Sequence, residues 1–308
     1  NWNPRPTSVP SLFSVARHQG LRSIAVGDRT WSDLFGNGID HQYTSGLGSL
    51  EYYSDAPHRP DVACIELIGH LLENREPFDI MVIHLVGPDH ASHRWRLDST
   101  LFQEYALWLD PKVDALLESL LAAGATVLVT SDHGMSTRGQ HGGDEYQARL
   151  TPYLLQGPGI RPAPGPDLDQ ADLPATLAVL LGLPLPPAGE GRVARAVMNL
   201  PAERALAVAV GNVEQFDRYL LAHGSEVGPV DAPAAPDLAV VADHEGQAAA
   251  LAAADSWFEG ARAALRSSGD RPATTLLWVA CLVALAAMLL TGMPRSGISE
   301  NVAAAGAL

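Results

Sequence analysis

The chain has 308 residues, a formal net charge of −15 at pH 7 and a single lysine, Lys112. This length allows one large domain, or two smaller ones, with a sizeable core. A nucleic-acid binder normally presents a basic face, so the acidic balance argues against nucleic acid as a partner. It does not exclude small phosphate substrates, because a bound metal ion would supply positive charge locally. Cys64 and Cys281 lie far apart in apolar contexts and are interpreted as free thiols.

Helical and strand patterns alternate along the first 200 residues. Hydrophobic periodicity predicts helices at 11–20, 61–72, 99–123 and 172–181, and strands at 23–27, 80–86, 127–130 and 151–156. Pro111 is expected to break the third helix or start a new one, and Asp172 to cap the fourth. The alternation predicts an α/β domain with a mostly parallel sheet.

The composition changes after residue 200. Two alanine-rich helical stretches, at 202–222 and 243–266, are joined by a linker rich in proline, alanine and aspartate at 228–237. We interpret the whole of residues 201–271 as a helical stalk or linker.

An uncharged apolar segment occupies residues 273–293 and precedes a short tail at 294–308. A helix rises about 1.5 Å per residue, so this segment would span roughly 30 Å, the thickness of a bilayer core. A buried core helix is the alternative, but such a helix normally has a polar face. The sequence therefore predicts a transmembrane helix. Three arginines precede this segment and one follows it, namely Arg262, Arg266 and Arg271 before it and Arg295 after it. This excess of positive charge would place the N-terminal side of the segment in the cytoplasm.

Side chains able to bind a metal follow two of the predicted strands. One apolar run ends in Asp132 and His133, with His141 after a glycine-rich loop. The other leads to Asp89 and His93, which are four residues apart, so one helical turn can aim both at one point. Chemistry in open α/β sheets lies beyond the carboxyl ends of strands. Imidazole and carboxylate without thiolate suit zinc or a similar divalent ion.

These residues also allow other interpretations. Asp132, His133 and Gly134 alone would also fit a strand-end turn with a capping aspartate. His84 and His90 are interpreted as groups that pack beside or orient the ligands and do not bind the ion themselves.

Three motifs resemble the alkaline phosphatase superfamily in their order and spacing. They run from His84 through Gly87, Asp89 and His90 to His93, from Asp132 to Met135, and from His141 to Gly143. Within the superfamily they are most similar to the type I phosphodiesterase/nucleotide pyrophosphatase branch, in particular the glycosylphosphatidylinositol (GPI) ethanolamine phosphate transferases. Further similar segments are Gly27 to Phe35, Asp172 to Gly182 and Glu190 to Arg192. The resemblance covers roughly residues 11–195.

This resemblance implies a three-layer α/β/α catalytic domain in residues 1–200 with a two-metal site. Asp89, His93 and His141 would hold one ion, and Asp132 and His133 the other, with zinc preferred and manganese or magnesium as alternatives. The family's remaining ligands are an aspartate ending the first strand and a nucleophilic threonine on the next helix. We expect both, with that strand and helix, upstream of residue 1. No nucleophile is therefore assigned, and we expect these 308 residues alone to be inactive.

The implied reaction is phosphoryl transfer from a phosphodiester or phospholipid-type substrate. With water as acceptor it is hydrolysis, and with a sugar hydroxyl it is phosphoethanolamine transfer. A nucleotide or lipid phosphodiesterase, a sulfatase-like hydrolase and an inactive metal-binding fragment anchored in a membrane are the alternatives. The resemblance places the catalytic domain on the extracytoplasmic side of a membrane, whereas the arginine bias points the other way.

Overall fold

The computed structural model describes residues 6–44, 58–238 and 244–269. Its helices and strands carry the labels α1–α9 and β1–β5 in chain order. They are α1 (Leu12–His18), β1 (Ser23–Gly27), α2 (Thr30–Phe35), β2 (His41–Thr44), α3 (His58–Glu73), β3 (Ile80–Ile83), α4 (Gly87–Trp95), α5 (Thr100–Ala122), β4 (Val127–Thr130), α6 (Tyr146–Arg149), β5 (Tyr153–Gln156), α7 (Asp172–Leu180), a 3₁₀ turn (Arg195–Val197), α8 (Ala202–Val227) and α9 (His244–Gly269).

Helix α1 begins and ends at residues whose side chains or backbone conformations favour helix termini. The Ser11 hydroxyl accepts a hydrogen bond from the Ser14 N–H, and the Ser14 hydroxyl accepts one from the Ser11 N–H, a reciprocal cap at the start of the helix. Gly20 has φ +80°, a conformation that favours glycine, and it ends the helical segment. The predicted helix at 11–20 is confirmed.

Strand β1 is the centre of a parallel sheet with the order β2-β1-β3. Ile24 and Val26 face α3, where they pack with Cys64 and Ile68. Ala25 points to the opposite face and packs with Phe13 of α1. All five residues of β1 are buried, because helices cover both faces of the sheet. The predicted mixed α/β fold with a mostly parallel sheet is confirmed for this part of the chain.

Of the described strands, β4 and β5 do not join the parallel sheet. β4 pairs antiparallel with β5, with Val127 opposite Gln156 and Thr130 opposite Tyr153, in a separate two-stranded sheet. A parallel connection normally needs a substantial crossover helix. The segment between these strands holds only the four-residue α6, so the chain turns back beside β4.

The predicted break at Pro111 is wrong, since α5 continues through it from Thr100 to Ala122. Proline removes one hydrogen bond, the one to the carbonyl four residues earlier. That carbonyl belongs to Leu107, which is 75% exposed, so water can hydrate it. The helix therefore tolerates a proline on its solvent side.

The prediction that Asp172 is the N-cap of α7 is wrong by one residue. The N-cap is Ala171, and Asp172 is the first helical residue. The buried carboxylate of Asp172 accepts hydrogen bonds from the Arg192 N–H at 2.8 Å and the Asp169 N–H at 3.2 Å. It thus ties two loops to the start of α7.

The two alanine-rich stretches are helical, as predicted, in α8 and α9. The described residues divide into two compact units, one of residues 6–219 and 235–258, the other of 220–234 and 259–269. In the first unit, the Asn212 side chain of α8 accepts a hydrogen bond from Val193 N–H and donates one to the Gly191 carbonyl. The predicted domain boundaries at residues 200 and 271 stay predictions.

Among the helices of the described ranges, none has the length and apolar character needed to cross a membrane. The predicted transmembrane helix at 273–293 and the tail at 294–308 lie outside the described residues.

Candidate metal centre

The start of α4 is held by a buried carboxylate from another helix. Asp61 of α3 is fully buried, and its Oδ1 accepts a hydrogen bond from the Gly87 N–H at 3.0 Å. The Tyr105 hydroxyl of α5 donates to its other oxygen. A carboxylate at a helix N-terminus is stabilised by the helix dipole. Any side chain at residue 87 would collide with the Asp61 carboxylate and the Tyr105 hydroxyl, so only glycine fits there.

The same burial changes the acidity of these groups. Burial raises the pKa of Asp61, and the hydrogen bonds from Tyr105 and Gly87 oppose that rise. Burial, together with the nearby Asp61, also raises the pKa of Tyr105. The Cys64 thiol, one turn from Asp61, has a pKa of about 12 because it is buried, which makes it a poor nucleophile.

Helix α4 presents Asp89 and His93 one turn apart, as predicted. His93 Nε2 lies 3.3 Å from Asp89 Oδ1. His141 Nε2 lies 3.6 Å and His133 Nε2 3.9 Å from the same oxygen. Asp89 Oδ1 is buried and has no hydrogen-bond partner among the described residues. One carboxylate oxygen thus faces imidazole nitrogens from three other residues, an arrangement typical of metal ligands.

His141 reaches this cluster through a tight turn. Gly139 has φ +72°, and its Cα packs so closely against the Ser92 carbonyl of α4 that a side chain there would collide with it. The Ser136 carbonyl accepts a hydrogen bond from the Gly139 N–H at 3.0 Å, which closes the turn. Burial, followed by the nearby His133, lowers the pKa of His141. The lowered pKa favours the neutral imidazole, the form that binds metals.

His133 and Asp132 lie at the side of the cluster. The His133 ring stacks on His141 with centroids 3.8 Å apart and an angle of 14° between the planes. Its Nδ1 lies 3.0 Å from the Gly134 carbonyl, which leaves Nε2 directed at Asp89. The Asp132 side chain is 78% exposed, and its Oδ2 lies 3.7 Å from His133 Nε2.

The structure therefore brings Asp89, His93 and His141 together as a group able to hold a metal ion, with one potential ligand atom from each within 4.8 Å of the others. His133 joins this group through Asp89, and Asp132 contacts it through His133. All five residues predicted as ligands lie in one region. Their assignment to particular ions stays a prediction.

His84 and His90 flank the group. The Trp31 ring meets His84 edge-on with centroids 6.1 Å apart, and it also packs against Phe13. His84 Nδ1 is buried without a hydrogen-bond partner among the described residues. Burial lowers the pKa of His90, an effect that Asp89 opposes. Neither histidine belongs to the three-residue group.

The sequence interpretation missed Asp61 and Tyr105. A usable signal existed for Asp61, because it lies on the same helical face as the buried residues Cys64, Ile68 and Leu71. A carboxylate on an apolar face implies a buried partner. Nothing in the local pattern identifies Tyr105 as that partner.

Comparison with known proteins shows similarity to one family of phosphodiesterases and phosphotransferases. A sequence model described as type I phosphodiesterase/nucleotide pyrophosphatase matches residues 2–264. The catalytic subunit of GPI ethanolamine phosphate transferase 3 from Homo sapiens is 27% identical over 227 residues, which are 68% of this chain and 20% of that protein. GPI ethanolamine phosphate transferase 3 from Schizosaccharomyces pombe is 31% identical over 172 residues, 53% of this chain and 18% of that protein.

A third relative is GPI ethanolamine phosphate transferase 1 from Emericella nidulans, 26% identical over 266 residues, 71% of this chain and 28% of that protein. The chain thus spans between 18% and 28% of the length of these three relatives.

Proposed function

Because the chain belongs to the type I phosphodiesterase/nucleotide pyrophosphatase family, we propose that it carries the metal centre of an enzyme that transfers phosphoryl groups from phosphodiesters. The main support for this proposal is the cluster of histidine nitrogens around Asp89 Oδ1. The Nε2 atoms of His93, His133 and His141 lie 3.3, 3.9 and 3.6 Å from it. A buried carboxylate oxygen without a hydrogen-bond partner is costly, and a divalent ion would satisfy it.

The donor set favours zinc over harder cations. Imidazole nitrogen and carboxylate oxygen suit zinc, whereas magnesium and manganese prefer oxygen ligands. Asp89, His93 and His141 would hold one ion, and Asp132 and His133 would contribute to a second. Bound ions would supply a Lewis acid that activates the attacking hydroxyl and stabilises the leaving oxygen.

The protein's own contribution is to orient these ligands. The hydrogen bond from Gly87 to Asp61 sets the position of α4 and therefore of Asp89 and His93. The contact between His133 Nδ1 and the Gly134 carbonyl directs Nε2 towards Asp89. Such supporting contacts fix the ring orientation of a metal-binding histidine.

For the substrate, we propose a phospholipid-type phosphodiester as phosphoethanolamine donor and a sugar hydroxyl as acceptor. The names of the relatives, all GPI ethanolamine phosphate transferases, support this choice. Hydrolysis of a nucleotide or lipid phosphodiester is the second candidate, which the description of the family supports. The proposed membrane attachment through residues 273–293 rests on their uncharged sequence.

Replacement of His141 tests the metal centre. We expect His141→Ala to bind zinc at least about tenfold more weakly than the wild-type chain, because it loses one of three clustered ligands. His18→Ala, at the exposed end of α1, is the control and should bind zinc like the wild type. Zinc content after dialysis, measured by atomic absorption, distinguishes the variants. Equal zinc in His141→Ala and wild type would contradict the ligand assignment.

Turnover is a separate question. No nucleophile is assigned among the 308 residues, so we expect this chain with zinc to leave a chromogenic phosphodiester intact. Measurable zinc-dependent turnover by this chain would contradict that expectation and would require a nucleophile among its own residues.

A further inference from the structure

The backbone just beyond β4 lacks the usual hydrogen-bond donors of a sheet. Pairing with β5 ends where Thr130 lies opposite Tyr153. The next residues, Ser131 and Pro152, would face each other, but proline has no backbone N–H to donate. Pro152 therefore offers no donor to the Ser131 carbonyl, to which the Thr130 hydroxyl donates only a long hydrogen bond of 3.5 Å, and Asp132 lies beyond the last paired residue. Both carbonyls have room for donors from elsewhere in the molecule or from water.

A glutamine side chain supplies them. Gln170 Nε2 donates to the Ser131 carbonyl at 3.0 Å and to the Asp132 carbonyl at 2.7 Å. A side-chain amide has two N–H donors, and here both are used, so the group has one preferred orientation. Two consecutive carbonyls are thereby fixed by one side chain.

Gln170 is itself attached to a rigid part of the fold. It lies two residues before the first residue of α7, between Asp169 and Asp172. The buried Asp172 carboxylate accepts hydrogen bonds from the Asp169 N–H and, across to another loop, from the Arg192 N–H. The turn that carries Gln170 is thus held at both ends, although the Gln170 side chain lies on the surface.

The consequence concerns His133. The Asp132 carbonyl belongs to the peptide unit that joins Asp132 to His133, so fixing this carbonyl fixes the plane from which the His133 side chain projects. His133 Nε2 lies 3.9 Å from Asp89 Oδ1, and its ring stacks on His141. A rotation of this peptide would move the ring away from both.

We propose that Gln170 is a positioning residue of the metal centre, which holds the peptide before His133 so that its imidazole faces Asp89. This inference rests on the proposed function. It concerns a residue that binds neither metal nor substrate and acts only through the backbone of Ser131 and Asp132. Loss of such a supporting contact typically weakens metal binding about tenfold to hundredfold.

A matched pair of substitutions tests the role. Gln170→Met keeps the length of the side chain but removes both donors. Gln215→Met is the control, because Gln215 Nε2 also donates to two backbone carbonyls, those of Pro187 and Gly189, at 3.2 and 2.9 Å. Zinc affinity of the full chain is measured by competition with a chromophoric chelator, and cobalt(II) absorption reports the ligand geometry. Thermal unfolding of the metal-free variants measures stability.

We expect Gln170→Met to weaken zinc binding about tenfold to hundredfold and to alter the cobalt(II) spectrum. Its metal-free unfolding temperature should stay near that of the wild type, because the side chain is exposed. Gln215→Met should unfold at a lower temperature, since Gln215 is buried, with zinc affinity unchanged.

Wild-type zinc affinity in Gln170→Met would overturn the proposal. An equal loss of affinity in Gln215→Met would also overturn it, because general destabilisation would then account for the effect. If the wild-type chain itself bound no zinc, the proposed function would fail first, a result that these measurements separate from the other two.

Discussion

At the scale of single residues, the proposed metal centre is organised around one oxygen atom. Asp89 Oδ1 is buried and lies within 3.9 Å of the Nε2 atoms of His93, His133 and His141. Burial and the neighbouring His133 lower the pKa of His141 and favour its neutral form. The carboxylate oxygen of Asp89 and the neutral imidazole of His141 thus both have lone pairs that a cation could bind.

The role of the turn that positions His141 can be tested by substitution of Gly139. Gly139→Ala should destabilise the chain by about 1–2 kcal/mol, because an L-residue is strained at φ +72° and would also meet the Ser92 carbonyl. Displacement of the turn should weaken zinc binding as well. Gly143→Ala is the control, since a side chain there meets nothing within 4 Å. Urea unfolding and chelator competition measure the two effects, and matching results for both variants would refute the role of this turn.

At the scale of secondary-structure elements, the position of α4 depends on α3 and α5. Asp61 of α3 and Tyr105 of α5 meet at the Gly87 N–H, where α4 begins. Three helices that are separate in the sequence thus share one buried hydrogen-bond network. Because α4 carries Asp89 and His93, this network determines where two of the candidate ligands lie.

This network predicts a particular dependence on pH. Burial raises the pKa of Asp61 above 3.8, so the folded chain binds this proton more readily than the unfolded chain. The stability linked to the proton is fully present below 3.8 and is lost as pH rises through the raised pKa. The side-chain amide introduced by Asp61→Asn cannot ionise. Lowering the pH from 7 towards 4 should therefore stabilise the wild type relative to this variant.

The measurement is the free energy of urea unfolding of both proteins across that pH range. Asp114→Asn, on the exposed side of α5, controls for the loss of a carboxylate at a surface position. A constant difference between wild type and Asp61→Asn at every pH would show that the Asp61 proton does not contribute to stability.

At the scale of the whole molecule, the first compact unit includes residues from the C-terminal part of the described chain. Arg195 donates from one nitrogen to both carboxylate oxygens of Asp255 on α9, each at 3.0 Å. The Arg195 side chain is only 12% exposed. Within this unit, a polar contact therefore joins the 3₁₀ turn to a helix that begins far along the chain.

Removal of that contact should lower stability measurably. We expect Asp255→Ala to cost about 1–2 kcal/mol in urea unfolding, because the largely buried Arg195 loses a charged hydrogen-bond partner. Glu214→Ala removes an exposed i,i+4 pair with Arg218 and should change stability by less than about 0.5 kcal/mol. Equal effects of both substitutions would contradict this role for Asp255.

The sequence by itself predicted most of the main helices and strands, and it gave a hypothesis for the chemistry of the site. Strand β1 and helices α1 and α3 were predicted from apolar periodicity and from the residues at their termini. Both features depend only on the local sequence. The residue types at 89, 93, 132, 133 and 141, placed after apolar runs, indicated imidazole and carboxylate ligands for a divalent ion. The predicted break at Pro111 is wrong, and the antiparallel pairing of β4 with β5 was not predicted, because solvent exposure and strand partners depend on distant residues.

Only the tertiary structure decided which atoms meet. The position of His141 in the sequence indicated that it could be a ligand. In the structure, the close approach of Gly139 to the Ser92 carbonyl places His141 beside Asp89. The supporting residues Asp61 and Gln170 act across helices and loops that are remote in the sequence. Local periodicity carries no information on such contacts, because they depend on how separately formed elements pack against one another.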